Sequence, residues 1–518
     1  MATPSGKDVQ IIKGSGAVVV VQPGVDAGQA ARAAQATAGE EKDADAAPSG
    51  DEEQVTHHSL NIDGKPLAYT ARAGRMPIDI EDDEETGKAH VFYVAYTLDG
   101  VEDPATRPIT YCFNGGPGSS SVWLHLGAYG PRRVVLPDDA SQPKPPFTMV
   151  DNEHSLLDLT DLVFIDPVTT GFSRAAEGVE DKPFHGVDAD VRSVGEFIRL
   201  YTTRHNRWAS PKLLSGESYG TTRAAALAGH LQDRHGIFLN GIALVSMVLD
   251  FSTILPYVGN DVPYPLFLPT YTATAWYHGL LDEDRQADLR ATLDEAEAFA
   301  DGEYAAALLA GDRMDAQAAA RIAERLADLT GLSTDFIQRC NLRVGPGRFF
   351  KELRRDERLT VGRLDSRYVG RDRDAAGESI EFDPSMHAIL GPYTAAFNDH
   401  VRRTLEFESD LHYEILTGRV HPWSFDEAKN RFLNVAETLR SAMSRNPHLK
   451  VHIANGYYDL ATPYHASAYT VAHLGLDPEL QGNISQSFYE AGHMMYVHSE
   501  ELARMKAALA EFYGIALS

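Results

Sequence analysis

The chain has 518 residues, of which 43% are hydrophobic and 23% are charged, a composition typical of a soluble globular protein. Its formal net charge of −27, from 74 acidic and 47 basic residues, repels phosphate groups and excludes a basic nucleic-acid interface. No apolar run approaches the roughly 18 residues that a membrane-spanning helix needs. We therefore expect neither a nucleic-acid partner nor a membrane span, and the sequence leaves the oligomeric state open.

Residues 1–56 are predicted to form a disordered acidic tail. From Asp26 to Gln54 the chain consists of Ala, Gly, Asp and Glu with almost no large apolar side chain, so it cannot bury enough surface to offset the ordering of its backbone. The apolar run AVVVV (17–21) is shorter than the about 7 to 15 residues of a signal peptide. The lack of a convincing signal peptide slightly favours the cytoplasm, while export or a periplasmic location stays open.

The next part of the chain is predicted to alternate strands with helices. The runs with strand character are AHVFYVAYTL (89–98), PITYCF (108–113), DLVFID (161–166), PKLLSG (211–216) and NGIALVSMVL (240–249). Between the last two, residues 219–236 are rich in helix formers and end at Gly236. A strand, a helix and a second strand in this order predict a parallel α/β unit.

From residue 256 to residue 418 the predicted structure is mainly helical, with amphipathic stretches at 282–300 and 313–329. Strand-like runs return at 448–456 and 483–492, and a last helix is predicted at 499–514. The sequence thus divides into the tail (1–56), a first core part (57–255), a helical cap insertion (256–418) and a second core part (419–518).

The stretch GESYG (216–220) places Ser218 at the predicted turn from a strand to a helix, where a nucleophilic serine is exposed in α/β hydrolases. A serine hydroxyl needs a histidine base, which in turn needs a carboxylate. The order Ser, Asp, His is met by Asp459 in YYDLATPY and His493 in EAGHMMY. The alternatives are His498 as the base and a turn-capping role for Asp459.

A glycine-rich loop also follows an early strand. The stretch FNGGPGSSS (113–121) suits an oxyanion hole made by the backbone N–H groups of Gly116 and of Tyr219, the residue after the serine. The alternative is an ordinary Gly/Pro turn.

Taken together, several motifs resemble those of the serine carboxypeptidases of the carboxypeptidase Y-like group. The motifs, in family order, are NGGPGSSS, FIDPVTTGFS (164–173), SGESYG (215–220), NGYYDLATPY (455–464) and AGHMMY (491–496), and the resemblance spans about 90–510. It implies an α/β-hydrolase fold, with a mostly parallel central sheet flanked by helices and a largely helical cap before the Asp. It also implies Ser218, Asp459 and His493 as the triad, Gly116 and Tyr219 as the oxyanion hole, and no cofactor or metal.

The resemblance further implies that Asn114, Gly115 and Glu217 bind the free carboxylate of a peptide substrate. The family's second Glu falls at Ala128, so one carboxyl of the usual pair is missing. Arg132 and Arg133 are either replacement cations or solvated surface residues.

The sequence therefore predicts a serine-type carboxypeptidase that acts on peptides with a free C-terminus. An esterase or acyltransferase on the same fold is the alternative, and a non-catalytic binding protein is the third hypothesis. The two cysteines, Cys112 and Cys340, are predicted to be buried and reduced, and the alternative is a single bridge between them.

Overall fold

The computed structural model describes residues 52–81 and 86–518, and its centre is a ten-stranded mixed sheet. The strands of the described chain are β1 (Glu52–Ile62), β2 (Lys65–Glu81), β3 (Thr86–Leu98), β4 (Ile109–Phe113), β5 (Arg132–Val134), β6 (Met149–Asp151), β7 (Asp161–Ile165), β8 (Arg174–Ala175), β9 (Lys212–Glu217), β10 (Gly241–Val245), β11 (Thr360–Val361), β12 (Val369–Gly370), β13 (Lys450–Gly456) and β14 (Ile484–Tyr489). The main sheet has the order β1-β2-β3-β7-β4-β9-β10-β13-β14, with β8 added beside β3.

Parallel pairing dominates the half of the sheet that follows β3. Strands β7, β4, β9, β10, β13 and β14 pair in parallel, whereas β1, β2 and β3 pair antiparallel and β3 also pairs antiparallel with β7. Because parallel strands are covered on both faces, β4 and β9 are buried at every position. This confirms the predicted α/β-hydrolase fold.

The helices are α1 (Val187–Arg204), α2 (Tyr219–His235), α3 (Pro263–Tyr277), α4 (Glu283–Gln286), α5 (Leu289–Phe299), α6 (Ala305–Ala310), α7 (Ala316–Thr330), α8 (Thr334–Arg339), α9 (Pro346–Glu352), α10 (Pro384–Arg403), α11 (Ala436–Arg445), α12 (Tyr464–Ala472), α13 (Pro478–Gln481) and α14 (Ser499–Ala516). Apolar residues of α1, α2 and α11 share one buried cluster with the sheet, and those of α10 and α14 share the cluster on its other face.

Helices α3 to α9 lie between β10 and β13 and enclose a hydrophobic core of their own, with Phe267, Tyr271 and Phe349 among its members. Tyr271 and Phe349 stack with their ring centroids 4.0 Å apart. The two predicted helical stretches of this region correspond to α4 with α5, and to α7.

The amino-terminal region differs from the prediction in the end of the tail and in the strands β1 and β2, which were not among the predicted runs. Residues 52–56, assigned to the tail, belong to β1, which pairs with β2 in the register Glu52 to Arg75. The rest of the predicted tail lies outside the described residues. Cys112 and Cys340 are both free and buried, as predicted. Within 52–81 and 86–518, no helix is long and apolar enough to cross a bilayer.

Candidate active site

The turn between β9 and α2 holds Ser218 in an unusual backbone conformation. Its φ of 60° and ψ of −129° lie in a region that residues with a side chain seldom adopt. The Ser218 N–H donates to the carbonyl oxygen of Val245 at 3.0 Å, and the Ser218 carbonyl accepts from the Thr221 N–H at 2.8 Å. These bonds hold a strained turn of the kind that displays a nucleophile at a sheet edge.

Glycines allow the loop after β4 to touch this turn. A Cβ on Gly115 would lie 2.4 Å from the backbone nitrogen of Tyr219, and one on Gly216 would lie 2.1 Å from the carbonyl oxygen of Gly220. Gly116 has a φ of 103°, which favours glycine. The structure therefore brings the predicted oxyanion loop into backbone contact with the residue that follows Ser218.

His493 and Asp459 form a buried hydrogen-bonded pair. Nδ1 of His493 lies 2.7 Å from Oδ2 of Asp459, and both side chains are buried. Oδ1 of Asp459 accepts the N–H groups of Ala461 at 2.8 Å and Thr462 at 3.0 Å, while the Thr462 hydroxyl donates to Oδ2 at 2.7 Å. The carboxylate is thus fixed by four donors, and Nε2 is the imidazole nitrogen left to serve as a base.

The segment after β10 connects this pair to the serine turn. Ser246 follows Val245, the residue that accepts the Ser218 N–H. The Ser246 hydroxyl donates to the carbonyl oxygen of His493 at 2.7 Å, and the Thr462 hydroxyl is 3.1 Å from the Ser246 carbonyl oxygen. The loops that carry the three predicted triad residues therefore all form hydrogen bonds with Val245 or Ser246, at the end of β10.

Charges around His493 favour its protonated form. Burial alone would lower the pKa of this imidazole, but the charge and hydrogen bond of Asp459, together with the charge of Glu217, raise it above the ordinary value of 6.5. An imidazolium formed during a reaction is therefore stabilised at this position.

Glu217, directly before Ser218, is a buried carboxyl held by two donors. Oε1 accepts the Asn114 amide at 2.9 Å, and Oε2 accepts the Tyr496 hydroxyl at 2.5 Å. Burial raises the pKa of Glu217 to about 7, against the opposing effects of the His493 charge and of the hydrogen bonds from Tyr496 and Asn114. The carboxyl therefore exchanges its proton near neutral pH.

Tyr496 was not predicted as a site residue, although it lies in the AGHMMY motif. Its ring contacts the short π-helix Leu124–Tyr129, because a Cβ on Gly127 would lie 2.4 Å from Cε2 of Tyr496. The next residue is Ala128, where the resemblance led us to expect a second glutamate. Tyr496, which donates to Glu217, thus packs against the π-helix that carries Ala128.

Arg132 and Arg133 lie on β5, and both contact acidic side chains. Arg132 pairs with Asp151 at 3.2 Å, and Arg133 pairs with Glu153 at 3.4 Å. These ion pairs argue against a role of the two arginines as replacement cations, and both side chains are partly buried.

Comparison with known proteins gives a consistent family. The family model for serine carboxypeptidases matches residues 79–508. Serine carboxypeptidase-like 45 of Arabidopsis thaliana is 27% identical over 226 residues, which cover 38% of this chain and 44% of the relative. Carboxypeptidase Y of Schizosaccharomyces pombe is 26% identical over 219 residues, which cover 40% of this chain and 20% of the relative. The matched region thus spans less than half the length of either relative.

A solved structure agrees with the fold. The crystal structure of Kex1(delta)p, a prohormone-processing carboxypeptidase from Saccharomyces cerevisiae, aligns with 86% of this chain and 91% of its own at a TM-score of 0.50 and 16% identity. The likeness at this identity concerns the fold. Because the family model covers most of the chain, this protein belongs to the serine carboxypeptidase family.

Proposed function

We propose that this protein is a serine carboxypeptidase that releases the C-terminal residue of peptides through an acyl-enzyme on Ser218. The observation that carries the proposal is the environment of Glu217. A buried carboxyl with a pKa of about 7 directly precedes Ser218, and a neutral carboxyl can donate a hydrogen bond to an anionic substrate terminus. Such a group favours a peptide end with a free carboxylate over an amide.

In the proposed mechanism Oγ of Ser218 attacks the carbonyl carbon of the last peptide bond while Nε2 of His493 accepts the hydroxyl proton. Asp459 holds His493 through Nδ1 and stabilises the imidazolium, which its 2.7 Å hydrogen bond supports. The N–H groups of Gly116 and Tyr219 donate to the oxyanion of the tetrahedral intermediate. The contact of the glycine loop with the Tyr219 nitrogen supports this assignment.

The intermediate then breaks its C–N bond, and His493 returns the proton to the departing amine of the terminal residue. Water attacks the acyl ester, gives a proton to His493 and releases the shortened peptide as Ser218 regains its hydrogen. These steps use the triad side chains, two backbone N–H groups and water.

Recognition of the terminal carboxylate is assigned to Asn114, Gly115 and Glu217. The Asn114 amide already holds Glu217 at 2.9 Å, and Oδ1 of Asn114 accepts the Leu124 N–H at 3.1 Å. Asn114 is therefore fixed at both ends of its amide, so it positions Glu217 for the substrate. As part of the same proposal, residues 256–418 form a cap over a core made of 57–255 and 419–518.

The experiment is hydrolysis of an N-blocked dipeptide, compared with its C-terminal amide and a matching ester, from about pH 4 to pH 8. We expect the free acid to be preferred over the amide, with all turnover lost in Ser218→Ala. Cleavage of the ester without cleavage of either peptide would contradict a carboxypeptidase.

The second candidate is an esterase or acyltransferase that uses the same acyl-enzyme, and Ala128 is the observation that favours it. A single Glu217 at the carboxylate site weakens the discrimination for a free terminus that a carboxyl pair supplies. Transfer of the acyl group to an added alcohol or amine, in preference to water, would identify an acyltransferase. A non-catalytic binding protein would fail to react with a fluorophosphonate at Ser218.

A further inference from the structure

A short segment that follows the cap helices lies between the two loops that carry Asp459 and His493. This segment, residues 363–367, comes after β11 and before β12, and we call it the clamp. It consists of Arg363, Leu364, Asp365, Ser366 and Arg367. All of them except Arg363 are buried.

Backbone hydrogen bonds join the clamp to both loops. On the Asp459 side, the Leu460 N–H donates to the carbonyl oxygen of Arg363 at 3.0 Å, and the Ser366 N–H donates to the carbonyl oxygen of Tyr458 at 3.0 Å. On the other side, the His493 N–H donates to the carbonyl oxygen of Leu364 at 2.7 Å. The clamp therefore bonds directly to His493 and to both neighbours of Asp459.

The Asp365 side chain adds a second link to the His493 loop. Oδ2 of Asp365 accepts the Gly492 N–H at 3.1 Å and an Arg367 N–H at 2.7 Å. Arg367 also donates to the carbonyl oxygen of Glu490 at 3.0 Å, and the side chains of Asp365 and Arg367 are only 7% and 6% exposed. A Cβ on Gly492 would lie 2.4 Å from Cβ of Asp365, so the loop and the clamp touch at that residue.

The far side of the clamp is attached to helix α10. The Arg363 N–H donates to Oδ1 of Asp383, the residue that caps α10, and the Leu364 N–H donates to the hydroxyl of Ser385, each at 3.0 Å. Helix α10 packs in the cluster on one face of the main sheet. The clamp is thus fixed to a rigid element and can hold the loops in place.

From these contacts we infer that Asp365 and Arg367 are positioning residues, which set the orientation of His493 relative to Asp459 and Ser218. The inference rests on the proposed triad. Removal of the Asp365 carboxylate leaves the buried Gly492 N–H and the Arg367 guanidinium without their partner, so the residue beside His493 loses its fixed position. Displacement of a catalytic group by about 1 Å is enough to lower a rate by about 100-fold.

The test compares Asp365→Ala and Asp365→Asn in the full chain. The matched control is Asp161→Ala, because Asp161 is also a buried aspartate that pairs with an arginine, Arg207 at 2.7 Å, and accepts a backbone N–H, that of Leu98 at 3.0 Å. Asp161 is the first residue of β7, whereas the triad loops follow the last residues of their strands. The measurements are the rate constant for fluorophosphonate labelling of Ser218, kcat and KM for an ester, and the melting temperature.

We expect Asp365→Ala to label about 10- to 100-fold more slowly per folded molecule, with kcat lowered and KM within about twofold of the wild type. Asp365→Asn keeps an oxygen for the Gly492 N–H and should lose less. The acid limb of the labelling rate should also shift to lower pH in Asp365→Ala, because a weaker bond to Asp459 lowers the pKa of His493. Asp161→Ala should lower the melting temperature and leave the labelling rate of folded protein unchanged.

Wild-type labelling by a folded Asp365→Ala protein, or equal slowing in Asp161→Ala, would overturn the inference. If Asp365→Ala does not fold, the same measurements are made on Asp365→Asn and Arg367→Lys. Labelling rates and acid limbs equal to those of the wild type in both variants would overturn the inference. Labelling and ester hydrolysis need no terminal carboxylate, so they test the clamp even if the protein cleaves no peptide. If the fluorophosphonate does not label Ser218 in the wild type, both the triad assignment and the inference about the clamp are wrong.

Discussion

The Tyr496 hydroxyl donates a 2.5 Å hydrogen bond to Oε2 of Glu217, and so joins the loop of the proposed base to the residue before the proposed nucleophile. Burial raises the pKa of Tyr496 well above its ordinary value of 10.0, which keeps this phenol protonated wherever the protein is folded. A permanent donor favours the ionised form of its acceptor. The hydrogen bond from Tyr496 therefore lowers the pKa of Glu217.

The first prediction concerns Tyr496→Phe. Loss of the hydroxyl should raise the pKa of Glu217 above about 7, by about one to two units, because a hydrogen bond to a charged group contributes about 1.5 to 3 kcal/mol. Glu217 would then stay protonated to higher pH, so KM for a free-acid dipeptide should be lower in the variant than in the wild type at pH 8. The measurement is KM from about pH 5 to pH 9.

The matched control is Tyr111→Phe. Its hydroxyl is also buried and forms a 2.7 Å hydrogen bond, with Thr202, on the face of the sheet covered by α1 and α2. This variant should lose stability and keep the wild-type pH dependence of KM. If the pH dependence of KM in Tyr496→Phe coincides with that of the wild type and of Tyr111→Phe, the phenol of Tyr496 does not control the pKa of Glu217.

The second prediction concerns the pH dependence of kcat/KM. The pKa of His493 is raised above 6.5, and this group must be neutral, so activity should fall as the pH drops below that pKa. Glu217 must be protonated to bind the terminal carboxylate, so activity on a free-acid dipeptide should also fall as the pH rises through about 7. The expected result is a bell-shaped profile, whose two apparent pKa values belong to the coupled pair.

A substrate without a carboxylate separates the two limbs. The C-terminal amide of the same dipeptide should keep the acid limb and lose the alkaline one, since Glu217 has no anion to meet. An alkaline limb near pH 7 that persists with the amide would place its origin in a group other than Glu217.

The third prediction is that Glu217→Gln changes how stability depends on pH. The folded pKa of Glu217, about 7, lies above its ordinary value of 4.5, so its favourable contribution is complete below pH 4.5 and is lost as the pH rises through about 7. When the pH rises from 5 to 8, the unfolding free energy of the wild type should fall by about 2 to 3 kcal/mol more than that of the variant. Denaturant unfolding at both pH values measures this difference, and parallel pH profiles of the two proteins would contradict it.

Much of the core could be predicted because its strands are buried on both faces. Runs such as PITYCF and DLVFID are almost wholly apolar and end at turn residues, which is how parallel strands differ from amphipathic helices. Ser218, Asp459 and His493 could be proposed as a triad because each follows a strand in the order known for α/β hydrolases, although β14, before His493, is only partly buried.

The β1–β2 hairpin was missed although a signal was present. Asp63 and Gly64 form the two-residue connection between β1 and β2, both with positive φ, and an Asp-Gly pair is a strong hairpin signal. The flanking strands carry many polar residues, such as His57 and His58, so their apolar alternation is weak. The polar composition of this region therefore led to no strand prediction. In the structure, β2 pairs with β3, and this pairing joins the hairpin to the main sheet.

The roles of Tyr496 and Asp365 could not be predicted because they depend on contacts across large sequence separations. Tyr496 meets Glu217, 279 residues away, and Asp365 meets Gly492, 127 residues away. The AGHMMY motif places Tyr496 near His493 without indicating its partner, and Asp365 lies in none of the motifs. The raised pKa of Glu217 is likewise a product of burial, which appears only once the loops are packed.

The last prediction concerns Gly115→Ala, with Gly302→Ala as its control. A Cβ at Gly115 would lie 2.4 Å from the Tyr219 nitrogen, so the loop must move away from a proposed oxyanion donor; loss of one such donor lowers kcat by about 100- to 1000-fold. A Cβ at Gly302, in the short π-helix Ala300–Tyr304, meets no atom within 4 Å, so that variant should keep wild-type kcat. The measurement is kcat for an ester substrate, corrected for the folded fraction. Equal kcat in the two variants would show that the Gly115 loop does not support the oxyanion.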